Sequence, residues 1–326
     1  MGGFAGSKLS VAVSKAGGLG LIGAVNDMPG LSAKLADAES KIDRLENGLL
    51  PIGVGVLLFI TPIEEALPIL EKSRPAVIWL FAANEIADYG LWAERVRSSS
   101  ALTDCQLWIQ VGSVAAALEI AKAAKPDVLC VQGADAGGHG YERGAGIISL
   151  LPEISDALVA NGHDNIALVT AGGISDGRSA AAAFTLGAQG VVMGTRFLAA
   201  EETTVHPTYQ SAIVAASDGG QSTVRSKLFD NLRGANIWPG AYDGRSIVVK
   251  SFEEFEDGTS IEDIRERHNE AVKGEEKGYE VHGNGRAVMW AGTGVGFAKK
   301  VQPAGEIVEE VRSVAAKVLR EAAAKL

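Results

Sequence analysis

The sequence predicts an α/β protein whose parallel strands curl into a barrel, and two patterns carry this prediction. Along the first 200 residues, short runs rich in Val, Ile and Leu alternate with longer amphipathic, Ala-rich segments, as in repeated strand–helix units. Much of the glycine, 40 of the 326 residues, lies in short clusters at the ends of those runs, which is typical of backbone-lined ligand loops. The predicted fold class is therefore a TIM (β/α)8 barrel.

Seven of the apolar runs are predicted strands, and the segments between them are predicted helices. The strands are residues 20–24, 52–58, 77–81, 107–111, 128–132, 167–170 and 190–193. The connecting helices are residues 31–47, 61–72, 86–97, 114–124, 148–160 and 178–186. Each helix has the length that a right-handed crossover between parallel strands needs.

The beginning of the sequence explains why seven strands are found rather than eight. Residues 1–6 have the character of a strand-to-helix loop and residues 8–16 that of the following helix, yet no strand precedes them. We therefore expect a barrel that lacks its first strand at the N-terminus. Two explanations stay open, an N-terminal piece missing from this sequence or a barrel open at that point, and the first is favoured.

The strand–helix pattern stops near residue 200. Residues 201–285 are polar, with an acidic helix-prone block at 252–277, and predict a mostly helical insertion packed over the mouth of the barrel. Residues 286–326 predict a return segment and a final helix, 304–326, whose apolar side chains recur at helical spacing and should pack on the barrel. The predicted organisation is thus a barrel at 1–200, an insertion at 201–285 and a return segment at 286–326.

Charge and cysteine content exclude several classes of partner. The 30 Lys and Arg against 40 Asp and Glu give a net charge of −10 with no basic block, which argues against nucleic acid and anionic membranes. Cys105 and Cys130 lack metal-ligand spacing, as do the histidines, so no metal site is predicted and a reducing compartment is expected. No apolar run approaches the roughly 18 residues of a membrane span. The predicted location is cytoplasmic, and the C-terminal Ala324-Lys325-Leu326, close to a peroxisomal signal, leaves a peroxisomal alternative.

Two glycine loops follow the last two predicted strands, where barrels of this class bind phosphate groups. Residues 171–176 read AGGISD, and their paired glycines let backbone amides approach a phosphate, while Ser175 or Asp176 can cap the next helix. Residues 193–197 read MGTRF and offer an amide and a hydroxyl. Tight packing turns would explain either loop alone better than both together. The two loops predict a phosphorylated cofactor.

His139 is the candidate catalytic residue. It lies in the stretch GADAGGHG, residues 133–140, directly after a predicted strand, and its glycine neighbours are expected to leave the ring uncovered. Histidine side chains exchange protons near neutral pH and can stabilise an anion. An ordinary surface histidine is the alternative interpretation. Asp135 could orient the histidine or brace the loop.

Taken together, the motifs resemble the nitronate monooxygenase family, formerly called 2-nitropropane dioxygenases. The matching stretches are residues 14–20 (SKAGGLG), 132–139 (QGADAGGH), 171–174 (AGGI), 193–197 (MGTRF) and 290–296 (WAGTGVG). The resemblance is clear over residues 1–200 and returns at 290–296. The family also includes flavin-dependent enoyl reductases and quinone reductases.

This resemblance implies a TIM barrel that holds FMN non-covalently and gives roles to individual positions. It implies that His139 lies near flavin N5 and the substrate. At Asp135 the family usually has a glutamate, so the aspartate keeps the charge with a shorter reach. The residues implied to contact the cofactor are Met1 by its backbone, Gln132 and Gly137 at the flavin, and Gly172, Gly173, Met193, Gly194 and Thr195 at the phosphate. Gly55 stands where the family commonly has a flavin-contacting asparagine.

The implied activity is the FMN-dependent oxidation of an alkyl nitronate by O2 to a carbonyl compound and nitrite. His139 would hold the negative charge of the nitronate, or remove the α proton of a neutral nitroalkane. Two alternatives stay open: an NAD(P)H-dependent flavin reductase of a quinone or enoyl thioester, and a truncated, inactive paralogue.

Overall fold

The computed structural model describes residues 3–24 and 26–325, and ten strands form two sheets within them. The strands are β1 (Gly20–Ala24), β2 (Leu50–Leu57), β3 (Pro75–Phe81), β4 (Gln106–Val111), β5 (Val128–Gln132), β6 (Gly138–Tyr141), β7 (Ala167–Ala171), β8 (Gly190–Val192), β9 (Thr223–Ser226) and β10 (Tyr242–Ile247). The larger sheet is parallel, with the order β1-β2-β3-β4-β5-β7-β8, and the smaller has the order β6-β10-β9. All seven strands predicted from the sequence are present in the larger sheet.

Helices surround the larger sheet and fill the later part of the chain. The α-helices are α1 (Ser7–Lys15), α2 (Met28–Glu39), α3 (Ile63–Ser73), α4 (Ile86–Ser98), α5 (Val114–Ala124), α6 (Ile147–Ala160), α7 (Gly177–Thr185), α8 (Pro207–Ala215), α9 (Gly219–Ser222), α10 (Leu228–Asn231), α11 (Lys250–Glu256), α12 (Ile261–Ala271) and α13 (Ala304–Ala323). Three 3₁₀ helices span Thr195–Ala199, Val281–Gly283 and Thr293–Phe297. None of the helices within residues 3–24 and 26–325 combines the length and apolar character needed to cross a bilayer.

The second helix differs most from its predicted bounds. The side chain of Asp27 accepts a hydrogen bond from the Gly30 amide, and a proline lies in the first turn, so α2 begins before residue 31. It ends at Glu39 rather than 47, and the following turns are held by Arg44, which donates to the carbonyls of Gly48 and Ser73. Tertiary hydrogen bonds thus end the helix at Glu39, although the composition of the residues up to 47 favours a longer helix.

The larger sheet forms seven strands of a curled barrel, with β1 and β8 as its two edges. Successive strand residues alternate between two apolar clusters, because side chains point to opposite faces of a strand. On β3, Ile78 and Leu80 join the cluster beneath the helices, whereas Val77 and Trp79 join the smaller cluster on the other face. The chain therefore builds an α/β half-barrel with both faces covered, as parallel sheets require.

The smaller sheet was not predicted. Its strand β6 lies within the GADAGGHG stretch and pairs antiparallel with β10, which also pairs with β9. Residues 201–285 therefore contain two strands beside the helices α8 to α12, which the prediction of a mostly helical insertion overlooked. The sequence GHGY has two glycines in four residues and no apolar alternation, so its strand forms only because a partner distant in sequence supplies the hydrogen bonds.

The return segment connects the smaller sheet to the barrel. Trp290 forms a β-bridge with Ser246, and Gln302 forms one with Ala200. The last helix, α13, then packs closely on α7, where a Cβ added at Gly177 would lie 2.5 Å from the Cβ of Val314. Glycine is needed at this position because the two helices approach too closely for a side chain.

Candidate active site

A cavity of about 1140 Å³ opens where the barrel strands end. Its wall includes residues at the ends of several parallel strands, among them Gly55, Phe81 and Gln132, and continues across the loops that follow β7 and β8. The C-terminal ends of barrel strands are the usual place for an active site. The opposite wall comes from residues after 201, including Trp238 and Trp290.

Nine of the ten residues predicted to form the site line this one cavity. They are Gly55, Gln132, Gly137, His139, Gly172, Gly173, Met193, Gly194 and Thr195. The tenth, Met1, lies outside the described residues. Gly55 pairs with Gly23 on β1 and with Trp79 on β3, which places it in the middle of the sheet. The structure thus brings these residues together in one cavity. The contact that each of them makes with a cofactor or substrate stays a prediction.

The first glycine loop turns with left-handed backbone at both glycines. Gly172 has φ +105° and Gly173 has φ +72°, conformations that other residues rarely adopt. The amide of Gly173 makes no hydrogen bond to any described residue. The carboxylate of Asp176 caps α7 by accepting from the amides of Arg178 and Ser179, as the sequence predicted for Ser175 or Asp176. Because this carboxylate occupies the start of α7, an anion here would meet the loop amides rather than the helix.

The second loop is open toward the cavity at Gly194. A Cβ added there would meet no atom within 4 Å, and the Gly194 amide also has no partner within the described chain. The next residue, Thr195, accepts a hydrogen bond at its Oγ1 from the amide of Gly292 at 2.9 Å. This bond ties the loop to the return segment and leaves the hydroxyl proton of Thr195 available to a ligand.

Gln132 and Gly137 lie on either side of the bend between β5 and β6. The Gln132 Nε2 donates to the carbonyl of His139 at 3.1 Å, which fixes the amide beside the cavity. At Gly137, an added Cβ would lie 2.3 Å from the Gly292 nitrogen, so the return segment itself demands glycine here. The sequence-based interpretation explained this glycine by the flavin alone and missed the backbone that passes it.

His139 is held on three sides. Its Nε2 lies 2.6 Å from Oδ1 of Asp230, and its ring stacks on Trp238 with centroids 3.6 Å apart and planes 7° apart. Trp290 covers it from another direction at 4.7 Å and 57°. Only 13% of the side chain is exposed, so the expectation that neighbouring glycines leave the ring uncovered was wrong. The edge that carries Nδ1 makes no hydrogen bond within the described residues.

Asp230 is the functional candidate that the sequence analysis missed. It lies in the four-residue helix α10, 91 positions from His139, and its side chain is only 5% exposed. Its second oxygen, Oδ2, is buried without a hydrogen-bond partner among the described residues. No local pattern marks this aspartate, because it reaches the histidine only through the pairing of β6 with β10.

Asp135 braces the loop, which was one of its predicted roles. Its Oδ1 accepts from the Thr293 hydroxyl at 3.1 Å, and its carbonyl accepts from the Thr293 amide at 3.0 Å. It therefore fastens the histidine loop to the return segment, and Asp230 rather than Asp135 orients His139.

Two half-buried arginines hydrogen-bond to the histidine loop. Arg225 forms an ion pair with Asp243 at 2.6 Å and donates to the carbonyl of Ala136, while Arg245 donates to the carbonyl of Ala134. Burial lowers the pKa of the Arg245 guanidinium, and the positive charge of Arg225 acts in the same direction. Both side chains satisfy carbonyls of a turning backbone that the sheet leaves unpaired.

Arg233 supplies a further positive charge at the cavity. It lines the wall near Asp230, is exposed, and forms no hydrogen bond or ion pair with the described part of the chain. An arginine with free N–H donors beside a cavity is suited to an anionic ligand.

The family model for nitronate monooxygenase matches residues 85–313 of this chain, which include the histidine loop, both glycine loops and Asp230. The chain belongs to the nitronate monooxygenase family. This confirms the resemblance inferred from the sequence motifs.

Two curated relatives carry the family name over nearly the whole chain. Nitronate monooxygenase npaC of Metarhizium robertsii is 42% identical over 335 residues, which cover 98% of this chain and 90% of the relative. A nitronate monooxygenase of Neurospora crassa is 36% identical, covering 94% of this chain and 85% of the relative.

Solved structures show how this member of the nitronate monooxygenase family folds. FabK from Thermotoga maritima superimposes with a TM-score of 0.76 at 25% identity, over 100% of this chain and 94% of that one. A nitroalkane oxidase from Streptomyces ansochromogenes superimposes with a TM-score of 0.75 at 22% identity, over 98% and 94%. The second likeness is evidence of the shared fold only.

Proposed function

We propose that this chain is an FMN-dependent nitronate monooxygenase that oxidises alkyl nitronates with O2 to a carbonyl compound and nitrite. The proposal follows the names of relatives that match nearly the full chain. The observation that carries it is a single cavity that joins His139, held by Asp230, to two glycine loops with unpartnered amides.

The residues of the cavity fit a flavin mononucleotide, in keeping with the flavin dependence general in this family. Its volume of about 1140 Å³ exceeds that of most small-ligand sites, which span roughly 300–1000 Å³. The free amides of Gly173 and Gly194 and the hydroxyl of Thr195 suit a phosphate, and the open space at Gly194 leaves room for it. When bound, the flavin supplies the redox chemistry, taking electrons from the nitronate and passing them to O2.

The chain's other residues would orient the ring system and the substrate. Gln132, Gly137 and Gly55 line the same cavity as the two glycine loops and His139, and the family resemblance implies flavin contacts at these positions. The role of Met1 stays a prediction. Trp238 and Trp290 cover the histidine and restrict the access of water to it.

His139 and Arg233 would bind the nitronate. A protonated imidazole can donate from Nδ1 to a nitronate oxygen, because Nε2 is already engaged by Asp230. The charges of His139 and Asp230 then offset each other, so Arg233 supplies the net positive charge that an anionic substrate needs. Both cations line the same cavity.

The experiment combines flavin content with turnover. Purified protein is reconstituted with FMN, and O2 uptake and nitrite release are measured with ethyl nitronate and other alkyl nitronates. Equal amounts of nitrite and carbonyl product support the proposal. A colourless protein after reconstitution would indicate an inactive paralogue, and anaerobic bleaching by NADH or NADPH without nitronate turnover would indicate a flavin reductase.

A cytoplasmic location stays a prediction, with the peroxisome as the alternative. Imaging a fusion that leaves Leu326 as the last residue, beside a variant lacking residues 324–326, separates the two.

A further inference from the structure

We infer that the open side of the barrel is a second binding site, which takes the aliphatic chain of a fatty carboxylate. The inference goes beyond the proposed oxidation and does not depend on it. It rests on a slot between the edge strands β1 and β8, on the apolar side chains that line this slot, and on an arginine at its rim.

The slot is the part of the cavity that is lined by α1, β1, β8, α7 and α13. The strands β1 and β8 form no hydrogen-bonded pair within the described residues. Leu19 and Leu21 belong to the apolar cluster inside the barrel, whereas Val308 and Leu319 lie on α13 outside it, and all four line the cavity. The cavity therefore passes through the barrel wall between its two edges.

The side chains around the slot are apolar and incompletely covered. The residues of β8 are all half-buried, although the strands in the middle of the sheet are mostly buried. Phe184 on α7 and Leu319 on α13 line the cavity and remain 37% and 36% exposed. Each methylene group of a ligand that is buried against such a surface strengthens binding about 4-fold. The slot thus favours an aliphatic ligand.

The backbone beside the slot favours a flexible chain over an additional β-strand. The amide of Gly23 on β1 donates to the carbonyl of Ala5 at 3.3 Å, so residues before α1 already occupy part of this edge. The other edge, β8, has only three residues and offers little length for pairing. An aliphatic chain needs no hydrogen bonds and can pass these contacts.

Arg312 places a positive charge at the rim of the slot. Among the described residues that line the slot, it is the one charged side chain. It is exposed, donates from Nη2 to the carbonyl of Ala16 at 3.0 Å, and forms no ion pair with the described part of the chain. Its other N–H groups are free, and a guanidinium can bind both oxygens of a carboxylate at once. The rim therefore suits the carboxylate of a ligand whose chain enters the slot.

The slot is distinct from the region expected to hold FMN. Positions expected to contact the cofactor, such as Gln132, Gly173 and Gly194, lie at strand ends and in the loops that follow them. The slot is lined instead along β1 and β8 and by the helices outside them. We expect the two ligands to bind together, so the FMN-loaded protein is the form to test.

The first experiment measures the binding of octanoate, decanoate and dodecanoate by isothermal titration calorimetry, below their micelle-forming concentrations. We expect one site per chain and an affinity that rises on the order of 10-fold for each added pair of methylene groups. In Arg312→Gln, the affinity for dodecanoate should fall about 5-fold, while that for the uncharged dodecan-1-ol stays unchanged. Arg320→Gln, an exposed arginine of the same helix, is the matched control.

A second pair of variants tests the slot itself. Ala316→Trp places a large side chain on its α13 wall, and Ala322→Trp places one on an exposed position of the same helix. Dodecanoate binding should be lost in the first variant and kept in the second, with FMN content and thermal unfolding as the test that both are folded. If Ala316→Trp does not fold, the chain-length series and Arg312→Gln decide the question.

Three results would overturn the inference. The first is an equal affinity for octanoate and dodecanoate, or dodecanoate binding that Arg312→Gln and a folded Ala316→Trp leave unchanged. The second is release of FMN during the titration, because the carboxylate would then occupy the flavin region. The third is a dimer that Ala316→Trp dissociates, without dodecanoate binding, which would assign the slot to a second copy of the chain.

Discussion

At the scale of single residues, the site depends on a histidine that the sequence marked and an aspartate that it did not. His139 follows a strand in a glycine-rich stretch, and those two local signals sufficed to select it. Asp230 belongs to a short helix in a polar segment, and nothing near it in sequence distinguishes it from other acids. Its partner becomes evident only when β6 and β10 are seen to pair.

Arg233 should govern the affinity for anionic substrates. Replacing it with Gln removes the free positive charge at the cavity, and KM for ethyl nitronate should rise about 5-fold, equivalent to roughly 1 kcal/mol for an exposed charge. This increase in KM should be smaller at high ionic strength, because salt screens the charge of Arg233 in the wild-type protein. Arg320→Gln on α13 is the matched control. An unchanged KM at low salt would remove Arg233 from substrate binding.

His268 should make the fold sensitive to acid. Burial lowers its pKa below 6.5, and Arg233 and Arg286 act in the same direction against the neighbouring Asn269 amide. Neither ring nitrogen has a hydrogen-bond partner in the described structure. The unfolded chain therefore binds a proton more readily, and stability should decrease as pH falls through 6.5, by up to about 1.4 kcal/mol per pH unit.

Denaturant unfolding of wild-type protein and His268→Leu between pH 7.5 and 5, roughly the range in which histidine titrates, measures this effect. The free energy of unfolding of the variant should decrease less than that of the wild-type protein as the pH falls. Equal pH slopes in the two proteins would contradict the assignment.

At the scale of elements, two glycines beside the same barrel edge should respond in opposite ways to alanine. At Gly194 a Cβ meets no atom, so Gly194→Ala should keep its stability but weaken FMN binding on the order of 10-fold by filling the space beside the amide. At Gly177 a Cβ would lie 2.5 Å from Val314 Cβ, so Gly177→Ala should lose about 1–3 kcal/mol.

Thermal unfolding of the FMN-free proteins and titration with FMN separate the two effects. Unchanged FMN affinity in Gly194→Ala would place the phosphate elsewhere.

Glu254 should connect α11 to the return segment. It accepts two hydrogen bonds from Arg286, both at 2.7 Å, and these bonds with the nearby Arg267 lower its pKa to about 2. Glu254→Gln should cost about 1–2 kcal/mol at neutral pH. The pKa of Glu254 is lower in the folded protein than in the unfolded chain. The stability that Glu254 contributes is therefore complete above pH 4.5 and is lost as the pH falls toward 2. Glu253→Gln, on an exposed side chain, is the control, and a loss as large in that variant would contradict the prediction.

The sequence predicts well those elements whose formation depends on residues that are close together in the chain. The strands of the parallel sheet are apolar runs, most of them largely buried, and β1 and β5 begin and end at the predicted residues. The strands β6, β9 and β10 are short, polar or glycine-rich, and each needs a partner from another part of the chain. Periodicity cannot reveal such strands, so the covering wall of the site was predicted as helices over the barrel.

At the scale of the whole molecule, the cavity joins three stretches of the chain. Barrel strand ends, residues after 201 and the return segment each supply part of its wall. We propose the division 1–200, 201–285 and 286–326 as a description of chain organisation rather than of independently folding units. The Ser246–Trp290 bridge and the bond from Gly292 to Thr195 couple the three stretches.

The most direct measurement of the central claim is nitrite release as a function of bound FMN. The apoprotein is titrated with FMN, and O2 uptake and nitrite formation from ethyl nitronate are recorded at each step for wild-type protein and His139→Gln. We predict nitrite in proportion to bound FMN, and a loss of kcat/KM in the variant at equal FMN content. Protein that binds FMN but consumes no O2 with any nitronate, or a variant as active as the wild type, would contradict the account.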